Sequence, residues 1–156
     1  MSKVKELIVV SVSLSLAMMV FGMTGNVIVN SSFESGSTWG WSPFGSVTLI
    51  ATSTNPHSDE YCLYTAGRTQ SWMGPSYNLF GLISSDQTYT VNFWVRYDEG
   101  PQSAQFKATV KTSSNNGVSN YIQATNPTSV QNGAWTEISG EFSIPTGDYS
   151  GIVVYI

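Results

Sequence analysis

With 156 residues and 41% hydrophobic content, the chain fits one domain with a core of its own. Only 10% of it is charged and the formal net charge is −4, which argues against a general hold on phosphate backbones. Small polar residues are abundant and 13% of the chain is aromatic, a mix that suits an extracellular β-protein and a neutral polar ligand better than a cytosolic helical enzyme.

Taken in chain order, Lys3 and Lys5 precede an apolar run from Leu7 to about Met23, broken only by serines and Gly22. A basic start followed by such a run resembles a secretory signal peptide. Residues 1–25 are therefore expected to be a leader, with Gly22 and Gly25 as small residues near the cut, and the protein is expected to be secreted. An uncleaved N-terminal anchor is the alternative, since the run is close to the shortest that spans a membrane. No later segment is apolar enough to enter a membrane.

Residues 26–156 then read as strands and turns. Val27-Ile28-Val29 predicts a short strand, and Phe33-Glu34-Ser35-Gly36 opens a loop carrying Trp39 and Trp41. Strands are predicted over 47–52, 61–65, 89–97, 105–111 and around 138–144, with turns at Asn55-Pro56-His57-Ser58-Asp59 and Asn115-Asn116-Gly117. Tyr89, Val91, Phe93, Val95 and Tyr97 alternate onto one face, as do Phe106, Ala108 and Val110. Cys62, the single cysteine, excludes an intrachain disulfide and a thiolate cluster and reads as a core residue. About eight short strands without a helical pattern predict an all-β sandwich of two antiparallel sheets. Residues 152–156 are apolar to the last position; read as an exposed edge strand, they suggest that the natural protein continues.

Hydrolytic chemistry finds little support. Glycoside hydrolysis needs two carboxylates roughly 5–9.5 Å apart. Glu137 and Glu141 share a strand face but stand about 13 Å apart along it. His57-Ser58-Asp59 are consecutive on a turn and cannot form a nucleophile–base relay, which is assembled from residues distant in sequence. Phosphate loops and zinc or dinucleotide motifs are missing.

The stretch 67–78 is the most suggestive. Arg68 and Trp72 stand among Thr69, Gln70, Ser71, Ser76 and Asn78, just before a predicted Gly74-Pro75 turn. A sugar polymer offers apolar C–H faces rimmed by hydroxyls, which flat aromatic rings and amide or guanidinium donors suit. Trp72, Tyr121, Tyr97, Tyr77 and Tyr155 are the aromatics available for such stacking. Arg68 either takes part or braces the loop by pairing with a nearby carboxylate.

These residues also carry a resemblance. The run Gly67-Arg68-Thr69-Gln70-Ser71-Trp72-Met73-Gly74-Pro75-Ser76-Tyr77 resembles carbohydrate-binding module family 22. So do Asn30-x-x-Phe33-Glu34-Ser35-Gly36, Trp41-Ser42-Pro43-Phe44-Gly45-Ser46, Trp94-Val95-Arg96-Tyr97 and Asn132-Gly133-Ala134-Trp135-Thr136. The resemblance covers essentially all of 26–156 and implies a jelly-roll β-sandwich that binds β-1,4-xylan, in some members mixed-linkage β-glucan, in a cleft on its concave sheet. It implies no catalysis by this domain, a xylanase catalytic domain in the same full-length polypeptide, plant cell-wall polysaccharide as partner, and neither nucleic acid nor, after leader cleavage, membrane. By motif position it places ligand contacts on Trp72, Tyr121 and Tyr155, with Arg68, Gln70 and Tyr97 as further candidates. Phe44 stands where the family has a cleft arginine. A structural calcium is also implied, with Glu34, Ser58 and Asp59 as candidate ligands, and the family pattern suggests a final strand beyond Ile156. A thermostabilising domain with little or no sugar binding is the alternative function.

Overall fold

The computed structural model describes residues 25–156 in full and, before them, the strand backbone of 6–13 and 15–16. In chain order the strands are β1 (Glu6–Ser13), β2 (Ser15–Leu16), β3 (Gly25–Asn26), β4 (Trp41–Phe44), β5 (Thr48–Thr52), β6 (Cys62–Arg68) and β7 (Gly74–Asn78). There follow β8 (Thr88–Tyr97), β9 (Ser103–Phe106), β10 (Thr109–Ser114), β11 (Ser119–Gln123), β12 (Thr128–Gln131), β13 (Thr136–Ser143) and β14 (Tyr149–Tyr155). The described residues contain no helix.

Two five-stranded antiparallel sheets result, one in the order β13-β8-β1-β6-β5 and the other β11-β10-β14-β7-β4. Two-stranded ladders, β12-β9 and β2-β3, accompany them. Alternation along β8 works as predicted, for Tyr89, Val91, Phe93, Val95 and Tyr97 are all buried. They join Ile138 and Phe142 of β13 and, from the second sheet, Trp41, Tyr77, Val110, Ile152 and Val154 in one core. Phe33, Trp41 and Tyr77 pack as tilted and edge-on rings 5.4 and 5.3 Å apart, the geometries aromatic quadrupoles favour. Cys62 is buried, and burial, helped by the charge of Glu34, pushes its thiol up to about 11.

Several expectations change. Residues 27–29 do not form a strand: Asn26 Oδ1 accepts the Ile28 N–H at 3.0 Å and Asn30 takes φ 54°, which turns the chain. Residues 105–111 divide between β9 and β10. Gly74 and Pro75 make no turn but begin β7, where Pro75 faces Pro43 of β4. A proline–proline pair suits a non-hydrogen-bonded position, so neither missing N–H removes a bond between these two strands. The last apolar run is no edge, since β14 is paired on one side to β10 and on the other to β7.

The leader expectation falls partly on residues 1–5, 14 and 17–24, which lie outside the described residues. Within it, Glu6–Ser13 forms β1, the middle strand of the first sheet, in register with β8 from Ile8↔Tyr97 to Ser13↔Asn92 and with β6 from Glu6↔Arg68 to Val10↔Leu63.

Candidate functional site

The outer face of the second sheet follows from alternation and register. Since Val110, Ile152, Val154 and Tyr77 point into the core, their neighbours point away. One row across the strands is Gln123, Thr109, Tyr155, Ser76 and Ser42; the next is Tyr121, Lys111, Val153 and Asn78. Amides and hydroxyls thus alternate with aromatic rings on a single surface.

A trough of about 420 Å³ opens at Thr109, Tyr155 and Tyr121 of these rows and is lined also by Arg68, Trp72 and Phe106. Its two walls carry exposed rings, Trp72 at 47% and Tyr121 at 60% of full exposure. Tyr121 stands on β11, and Trp72 in the loop that leads into β7.

Trp72 is held by a braced loop. The Arg68 guanidinium donates to the Ser71 carbonyl and lies over the Phe106 ring, 5.4 Å from its centroid. Met73 N–H donates to the Gln70 carbonyl at 3.2 Å, and the Thr69 hydroxyl to Met73 Sδ at 3.4 Å. Beneath the ring lies Gly45, at φ 84°; a Cβ there would stand 2.8 Å from Trp72 Cζ3 and 2.7 Å from Met73 Cγ. Glycine is needed at this point for both conformation and space.

Phe44 fills the space between the tryptophan and the sheet. It stacks on Tyr155 with centroids 4.0 Å apart and planes 9° apart, and meets Trp72 edge-on at 6.1 Å. Tyr155 consequently keeps only 9% exposure. Burial raises its phenol above the ordinary range, partly offset by the hydrogen bond with Thr109, so it stays neutral at neutral pH.

The predicted contacts therefore separate. Trp72 and Tyr121 come together on one trough, exposed. Tyr155 lines it but lies beneath Phe44, and Arg68, 8% exposed, braces the loop. Gln70 is exposed in the same loop and lies outside the lining. Tyr97 is a correction: it has no exposure, sits in the core and donates its hydroxyl to the Pro101 carbonyl at 2.8 Å, so no ligand reaches it. Tyr77 is likewise core, as its place in the alternation of β7 requires. Sequence reasoning placed Phe44 at a cleft position without its stacking on Tyr155, and missed Thr109 in the lining; the outward phase of β10 carries the signal for the second.

For calcium, six to eight oxygens are needed. Both carboxylate oxygens of Glu34 accept backbone N–H groups, from Glu60 at 3.0 Å and Tyr61 at 3.2 Å, which fastens the loop before β6. Ser58 and Asp59 are exposed on the turn, and among the described residues no group of three or more His, Cys, Asp or Glu gathers. Glu34, Ser58 and Asp59 supply fewer than the six to eight oxygens calcium takes, so an ion here would need backbone carbonyls or water for the rest. Glu34→Gln is expected to lower stability by about 1 kcal/mol through weaker loop hydrogen bonds, and to do so equally in calcium and in a chelator. Thermal melts of both proteins under both conditions check this; a melting temperature that rises with calcium in the wild type alone would assign a metal to the turn.

Comparison with known proteins gives this surface its context. A family model described as a carbohydrate binding domain matches residues 25–156. The chain belongs to the carbohydrate-binding modules. It is 48% identical over 132 residues to endo-1,4-beta-xylanase A of Thermoanaerobacterium saccharolyticum, a match covering 85% of this chain and 11% of that enzyme. Against endo-1,4-beta-xylanase C of Paenibacillus barcinonensis it is 28% identical over 132 residues, covering 85% of this chain and 12% of the enzyme. The module thus spans about a ninth of the length of these relatives. Among solved structures it superposes on the CBM22-1 xylan-binding domain of Paenibacillus barcinonensis Xyn10C with a TM-score of 0.72 and 29% identity, over 80% of this chain and 78% of that one. The tandem CBM22-1-CBM22-2 structure from the same enzyme gives 0.73 and 30%, over 80% and 38%. The family 22 resemblance and the all-β sandwich are both upheld, and the matched region is a non-catalytic domain.

Proposed function

We propose that this module binds β-1,4-xylan, with mixed-linkage β-glucan as a further ligand, in the trough lined by Trp72 and Tyr121. In this reading it tethers a xylanase catalytic domain of the same full-length polypeptide to plant cell-wall polysaccharide outside the cell. The carrying observation is the pair of exposed rings, Trp72 and Tyr121, lining one open trough together with Thr109, Ser71 and Gln105. Rings stack on the C–H faces of sugar units, while hydroxyls and amides set the register of the chain between them. The relatives' names support the ligand, being xylanases and a xylan-binding domain.

Affinity electrophoresis tests it. The chain is expected to be retarded in gels containing soluble xylan and to run normally in gels containing starch. Equal mobility with and without xylan would remove the proposal. The second reading, a stabilising domain, draws on the burial of Tyr155 under Phe44, which withdraws one predicted contact. It predicts that deleting the module lowers the melting temperature of the full-length enzyme without altering its retention on xylan.

A further inference from the structure

Charge around the trough is distributed unlike charge on the chain as a whole. The formal net charge is −4, yet no Asp or Glu side chain lines the trough, while Arg68 and Lys107 do. Lys111 lies on the same sheet face, directly across from Tyr121 in register and two residues from Thr109. Arg96, the remaining basic residue after Gly25, is ion-paired with Asp98 at 2.8 Å on the first sheet. Three of the four basic side chains of the described domain thus gather at one surface. Arg68 already holds the Trp72 loop, which leaves Lys107 and Lys111 for a ligand.

A linear neutral polysaccharide offers these ammonium groups only hydroxyls. A hexuronic acid branch carries a carboxylate that is ionised at neutral pH. We infer that the trough is built for acidic, uronic-acid-branched xylan, with Lys107 in its lining or Lys111 beside it, four residues apart along one face, taking the branch carboxylate while Trp72 and Tyr121 stack on the backbone. This rests on the xylan reading above and deepens it. The lysines are partly or fully exposed, so the gain is modest and screened by salt. Because Lys111 stands beside Tyr121 in register, a branch held there lies toward β11 and leaves the Trp72 ring to the backbone.

Titration calorimetry on the whole chain decides it with four ligands of similar length. These are a linear xylo-oligosaccharide, the same backbone with one glucuronic acid branch, its carboxyl-reduced form with a neutral branch, and a galacturonic acid oligomer. The acidic branch is expected to bind roughly threefold to tenfold more tightly than the linear or reduced forms in low salt. That ratio should fall to about one in 0.5 M NaCl, and in the Lys107→Met/Lys111→Met variant. The galacturonate oligomer, an acid without the xylan backbone, should bind more weakly than the linear xylo-oligosaccharide. Equal affinity for acidic and reduced branches, a preference that survives in the double variant, or tightest binding of the galacturonate would each overturn the inference and leave the xylan reading standing or revised on its own terms. Binding of none of the four would remove both.

Discussion

Trp72→Ala is expected to abolish retardation in xylan while moving the melting temperature by only a few degrees. Half of the ring is exposed in the free protein, so truncation forfeits little core burial. A sugar stacked on the remaining face covers on the order of 100 Å² of apolar surface, worth about 2 kcal/mol, or roughly thirtyfold in affinity. For a Kd of about 100 µM a thirtyfold loss gives about 3 mM, below what a gel registers. Two further variants separate stacking from general disturbance. Gly45→Ala removes no ligand contact, but its Cβ would press on Trp72 Cζ3 and Met73 Cγ. It should weaken binding by swinging the ring. Tyr155→Phe deletes a hydroxyl from a residue already beneath Phe44 and should change affinity less than threefold. Normal binding by Trp72→Ala, or a larger loss in Tyr155→Phe than in Trp72→Ala, would move the site off the Trp72 wall.

The contrast between Trp72 and Tyr155 shows how much of the site could be read from residue order. Trp72 sits in a run of small polar residues that no core strand would carry, so its exposure was legible. Tyr155 alternates correctly to the outer face, and period-2 reasoning places it there. What covers it comes from β4, far away in sequence, and no periodicity reports that Phe44 lies 4.0 Å above. Tyr97 failed for a simpler reason: five residues of β8 point inward together, and it is the last of them. Its place in a family-like motif outweighed its own alternation. In the fold, the sandwich and the turn at Gly117 followed from pattern and turn chemistry. The interior position of β14 did not, because pairing partners dozens of residues distant are set by topology rather than by local sequence.

A chain beginning at Gly25 is expected not to fold as a stable monomer, because the same residues that resemble a leader also hold the first sheet together. β1 is its middle strand; without it β6 and β8, both long, become facing edges with no partner between them. Ten register positions are lost, six with β8 and four with β6. At about 1 kcal/mol for each ladder bond, the loss is of the same order as the roughly 5–15 kcal/mol that stabilises a typical domain. Two open edges side by side also invite another chain to supply the strand. Circular dichroism and sedimentation of the shortened chain should therefore show loss of β signal or self-association. A synthetic peptide with the sequence of Glu6–Ser13 should restore a folded 1:1 complex. A compact, cooperative monomer from Gly25 onward, with no response to the peptide, would show that β1 is dispensable. Export with cleavage near Gly22 or Gly25 and retention of β1 exclude each other for these eight residues. If the leader is removed, the slot between β6 and β8 is expected to need a replacement strand, since the trough's sheet shares one core with the sheet that β1 completes.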